Sequence, residues 1–146
     1  MSVQKIGDWG FDKLDQAFKQ LKENDLPLLI GKTAQNHFVE GFRKGGGQTD
    51  ASLSGWVQRK TKNKSDRRNP NKNRAILVES SHLMRSVRLL EYTFQRILIG
   101  TRGIIYAERH NEGIDMPKRE FIGKSAKLNE KIISLITKQM DLIFKK

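Results

Sequence analysis

Three histidines, His37, His82 and His110, are the residues best suited to acid–base or metal chemistry in this chain. Imidazole titrates near neutral pH and ligates metals, but none of the three lies at the helical spacing that makes a metal pair. His110 stands among Glu108, Glu112 and Asp115. A lone base or metal ligand flanked by carboxylates is one chemistry open to it. A polar turn closing an ordered segment is the other, and it needs no further ligand. Ser80-Ser81-His82 sets hydroxyls beside an imidazole. Neighbours in sequence seldom face one another and nucleophile–base pairs assemble in space, so Ser80 reads as a helix cap. Gly45-Gly46-Gly47 lacks the Gly-Lys-Ser/Thr of a phosphate loop, and no dinucleotide fingerprint follows a strand. No catalytic residue, metal or cofactor is expected.

Charge is the stronger chemical signal. From Gln58 to Arg74 the chain reads QRKTKNKSDRRNPNKNR. Arg59, Lys60, Lys62, Lys64, Arg67, Arg68, Lys72 and Arg74 face a single acid, Asp66. Such a run can neutralise phosphates by releasing counterions, or meet an acidic protein surface. A solvated loop with no partner is the bland alternative. Only Trp56 is near enough to stack on a base, so a single-strand platform is not expected. Helix–turn–helix, zinc-finger and RNA-recognition signatures are missing from the sequence.

The chain around this run is 146 residues long with 28 basic and 16 acidic side chains, a formal charge of +12. The eight bases of the run less Asp66 supply +7 of it. There is no cysteine, which excludes disulfides, thiolate zinc sites, iron–sulfur clusters and cysteine nucleophiles. No apolar run approaches the ~20 residues of a membrane span, and no secretory leader or membrane partner is expected.

The elements that position these residues fall into three zones of one domain, 1–146. The zone 11–44 is helical. Phe11, Leu14, Phe18 and Leu21 make one apolar face. Asn24 and Asp25 interrupt it, and Asp25 is placed to cap a second helix with Pro27 in its first turn. Leu29, Ile30, Ala34, Phe38 and Phe42 form that helix's inward side, and the three glycines from Gly45 end it. The zone 45–74 has little apolar content and is expected as a long, mobile basic loop. In 75–146, Ser80 precedes a short helix with Leu83, Met84 and Val87. Residues 88–101 are β-prone, as two strands or one bent strand. Met116 to Ile122 reads as extended, held by Pro117. Leu128, Ile132, Leu135, Ile136, Met140 and Ile143 recur at helical spacing, with lysines on the wet side.

From Tyr106 the chain reads Tyr-Ala-Glu-Arg-His-Asn-Glu-Gly and then Met-Pro-Lys-Arg-Glu-Phe-Ile-Gly-Lys-Ser. This resembles the signature of the phage virion morphogenesis family, small tail-completion or head–tail joining proteins of tailed bacteriophages and prophages. Tyr106, Ala107, His110, Gly113, Pro117, Arg119, Phe121 and Gly123 match its pattern. Ile76-Leu77-Val78 with Leu83 and Ser86 resembles its strand, turn, Leu, Ser segment, and Trp56 its tryptophan before a basic stretch. Ser81 stands where the family usually carries glycine, and Lys118 and Glu120 where alanine and proline are common.

The elements together predict an α+β fold: N-terminal helices and a long C-terminal helix on a small, mainly antiparallel sheet, with the basic loop projecting. The resemblance implies a virion protein of the tail or neck, made in the bacterial host cytoplasm and without enzymatic activity. Subunits would form a ring, expected as a hexamer, that meets the connector and tail tube proteins and DNA in the channel. Arg119 is placed to pair with a carboxylate, within the subunit or across the ring. A sequence-independent nucleic-acid-binding protein using 58–74 is the main rival. A small hydrolase using His110 with Glu108 or Glu112 is the second.

Overall fold

The computed structural model describes residues 11–58, 76–77 and 81–145. The fold is α+β. Helices α1 (Phe11–Gln20) and α2 (Leu26–Lys44) lead into a 3-10 turn at Asp50–Ser52. A short helix α3 (His82–Ser86) runs directly into a hairpin of β1 (Val87–Tyr92) and β2 (Ile97–Thr101). Helix α4 (Ala107–Glu112) and the long α5 (Ala126–Phe144) complete it.

The break expected at Asn24-Asp25 does not occur. Leu21–Asp25 is a π-helical turn that carries the chain from α1 into α2. Asp25 is itself helical, and its side chain makes no capping hydrogen bond. Pro27 explains the wider turn. Its ring collides with the carbonyl four residues back and it offers no N–H. A turn closed by the Leu26 N–H on the Leu21 carbonyl, five residues back, relieves that conflict without breaking the helix.

The buried stripe of α2 runs through Pro27, Gly31, Ala34, Phe38 and Phe42. Leu29, expected on the inward side, lies off this stripe and is exposed. Gly45 ends the helix in the left-handed region, φ 73°, and the Gly46 N–H returns to the Gly41 carbonyl at 2.8 Å.

α2 is the central element, with the hairpin on one side and α5 on another. The hairpin runs back along it. Gln35 Nε2 donates to the Val87 carbonyl at 3.1 Å, Leu89 lies over Gly31, and the Lys22 ammonium stands 4.6 Å from the Phe94 ring centre. Gly31 permits this approach: a Cβ there would come within 2.7 Å of both Leu89 methyls. At the far end, Phe18 of α1 meets Phe144 of α5 edge-on at 5.7 Å.

Residues 45–58, expected as the first part of a loop, are instead a chain of turns packed on the core. Thr49 is fully buried, and Trp56 is only 4% exposed. Low apolar content misled here, because short polar side chains satisfy the turn's own backbone. Thr49 and Ser52 form a reciprocal capping box. The Asp50 N–H donates to the Lys124 carbonyl at 2.7 Å, and its carboxylate accepts from Ala126 N at 2.9 Å, fastening the turn to the start of α5. The remaining basic residues of the expected loop, 59–74, lie outside the described residues.

Ile76 and Leu77 form a turn, not the strand the resemblance suggested, although Ile76 is buried. Val78 and Ser80 lie outside the described residues. Ser81 precedes α3 at φ 58°. The left-handed conformation that the family's glycine would supply is therefore present with serine.

Candidate functional site

The motif residues gather in one place. Tyr106 precedes α4, and Gly113 ends it at φ 76°, where the chain doubles back. A Cβ on Gly113 would lie 2.9 Å from Lys118 Cα, so glycine is required twice over. The Arg119 N–H then donates to the His110 carbonyl at 2.9 Å.

Asn111 holds the returning strand of chain. Its Oδ1 accepts from the amides of Phe121 and Ile122, both at 3.0 Å, and its Nδ2 donates to the Ile122 carbonyl at 3.1 Å. Residues 117–120 carry no regular structure, so side-chain and packing contacts do what a ladder would do elsewhere. Pro117 is exposed on this stretch. Phe121 is buried and lies 5.3 Å from Phe42, which in turn meets Trp56 edge-on at 5.4 Å. Trp56 Nε1 donates to the Glu120 carbonyl at 3.0 Å, and Arg119 Nε to the Val57 carbonyl at 3.1 Å. Trp56, Gly113, Arg119 and Phe121 thus belong to one clasp that ties 56–57 and 117–122 to α4, while Tyr106 packs on His110 at the start of that helix. Asn111 is its centre, a role the sequence reading missed. The available signal was an Asn inside the motif, a residue type that readily bonds backbone.

His110 is half-buried against Tyr106, ring centres 5.9 Å apart and edge-on. Its Nδ1 is enclosed with no hydrogen-bond partner among the described residues. Burial, aided by the charge of Arg119, pushes its pKa below the ordinary value, so it is neutral at neutral pH. No group of three or more His, Asp or Glu able to hold a metal exists among the described residues.

A second polar cluster was not anticipated. His37 is 2% exposed, on the same side of α2 as Phe38. Its Nε2 lies 2.8 Å from the Gln48 carbonyl and 2.9 Å from Ser125 Oγ, and its Nδ1 lies 3.3 Å from Lys131 Nζ. A carbonyl only accepts, so Nε2 carries the proton and Nδ1 takes a hydrogen bond from the ammonium. Burial lowers the pKa, the Gln48 bond opposes it, and Lys131 lowers it further. An open cleft of about 550 Å³ adjoins this ring, lined by Asn36, Glu40, Arg43 and Lys131 among others. The Ser125–His37 distance is that of a nucleophile–base pair, but the chemistry is opposed. The nitrogen facing Ser125 is already protonated, and a cation stands where a catalytic dyad needs an anion. Ser125 Oγ instead accepts from Leu128 N at 3.1 Å and caps α5.

The eight candidate polyanion contacts from Arg59 to Arg74 fall outside the described residues. No protein-family model, curated protein or solved structure matches this chain.

Proposed function

We propose that this chain is a non-enzymatic virion subunit, a tail-completion or head–tail joining protein that works by self-association and docking. The observation that carries the reading is the use made of the motif. Trp56, Gly113, Arg119 and Phe121, with Asn111, close backbone hydrogen bonds and aromatic contacts that shape a surface and activate no group. Apolar side chains then stand exposed on the outside. Ile105 is 97% exposed, and Tyr106 next to it and Ile114 after α4 are each 43% exposed. On the hairpin, Leu90, Tyr92 and Leu98 are exposed as well. A two-stranded sheet gains from having both faces covered, and α2 covers one. A second copy of this chain is the occupant we assign to the open apolar surface, in a closed ring. The ring, expected as a hexamer, would meet the connector and tail tube proteins in the neck of the particle.

Deleting the coding sequence from its phage or prophage should leave DNA-filled heads and finished tails unjoined. Infectious particles at normal yield after that deletion would refute the reading.

A further inference from the structure

One groove among the described residues gathers cations without a facing acid. His82 and Arg85 reach it from α3, Arg88 from β1 and Arg102 from the turn after β2, with Ser86 and Ile104 in its wall. It encloses about 280 Å³. The topology forces the convergence. α3 continues into β1, so Arg85 and Arg88 flank one junction. The hairpin register pairs Arg88 with Gly100 and Val87 with Thr101, which brings Arg102 out beside the same junction. Gly100, opposite Arg88, contributes no side chain.

All three arginines are exposed. The ion pairs among the described residues involve Lys44, Arg96, Lys118 and Lys131, and none of these three. Like charges gathered in one groove repel until an anion relieves them. The guanidinium fork matches the oxygens of a phosphate. Among the described residues of the wall Ile104 is the only apolar side chain, which offers little to the buried anchor that a protein partner uses. No Phe, Tyr or Trp lines it among the described residues, so no large aromatic platform for a base is offered there.

We propose that this groove binds the phosphodiester backbone of nucleic acid, without reading sequence. The site does not require residues 59–74, and it stands or falls independently of the neck-subunit reading.

The test is fluorescence anisotropy of a short labelled DNA duplex with the full chain across a salt series. Each neutralised phosphate adds about 0.9 to the slope of log affinity against log salt. Replacing Arg85, Arg88 and Arg102 together by Gln should lower that slope by roughly 2–3 and weaken low-salt binding at least ~10-fold. A control that removes the same charge elsewhere, Lys13, Lys138 and Lys145 to Gln, should lower the slope by less than about one. If the triple arginine variant fails to fold, the three single variants carry the test, each expected to lower the slope by about one. Equal slopes for the arginine and lysine variants would overturn the proposal. So would capture of polyglutamate by a protein that leaves the duplex unbound.

Discussion

His37 Nε2 stands 2.9 Å from Ser125 Oγ, joining two residues 88 positions apart in the chain. The contact ties the middle of α2 to the N-cap of α5, and the Gln48 carbonyl on the same nitrogen adds the turn between them. It has the spacing of a catalytic pair and the protonation of a structural one. Replacing Ser125 by Ala removes both the α5 cap and a partner of a buried imidazole. It should destabilise the protein by about 1–3 kcal/mol, read by urea denaturation. An unchanged midpoint would show that the contact does not hold the helices together.

Acid should weaken the fold through two buried imidazoles. His37 and His110 both have pKa values below 6.5 in the folded protein, chiefly through burial. The unfolded chain therefore takes up protons first as pH falls. Their contribution is complete above pH 6.5 and is lost as pH drops through 6.5 toward the folded values. The melting temperature should fall between pH 7.5 and 5.5, and His110→Phe should flatten that dependence. A melting temperature that rises over this range would contradict the assigned protonation states.

Asn111 carries the clasp, so its loss should exceed that of an ordinary surface residue. Asn111→Ala deletes three hydrogen bonds to the backbone of Phe121 and Ile122 and should cost about 2–4 kcal/mol. Asn111→Asp keeps the two accepted bonds and sets an oxygen against the Ile122 carbonyl, so it should fall between Ala and the natural residue. The check is chemical denaturation of all three proteins side by side.

Ser81 offers a gain in stability. It adopts φ 58°, where a side chain costs about 1 kcal/mol and glycine does not. Ser81→Gly should raise the unfolding free energy by about 0.5–1 kcal/mol, after the greater freedom of glycine in the unfolded chain is deducted. A loss of stability would mean that the Ser81 side chain makes a contribution larger than the strain.

Much of the fold was legible because it depends on local periodicity. Leu128 to Ile143 predicted α5, and the apolar content of 88–101 predicted β structure, as two strands or one bent strand, of which the structure has two paired strands. The boundary near Asn24 was misread because helix-stop chemistry and a π turn before proline share the same residues. The turns of 45–58 were misread because Thr49, Ser52 and Asp50 order the chain through hydrogen bonds, which composition does not register. For the clasp, the residue types in the motif were visible, but their partners were not. Asn111 meets backbone groups ten and eleven residues on, and Trp56 meets one sixty-four residues on. The arginine groove was hidden for the same reason: Arg85, Arg88 and Arg102 are unremarkable apart until the hairpin brings them together.

Self-association is the central claim, and the mass of the protein in solution tests it most directly. Light scattering behind size exclusion, over a range of concentrations with and without the tail tube protein, should give a discrete ring mass, expected near six subunits, in at least the second condition. Leu90→Glu with Leu98→Glu should return that species to monomer. A protein that stays monomeric at every concentration and in the presence of the tube protein would contradict the account.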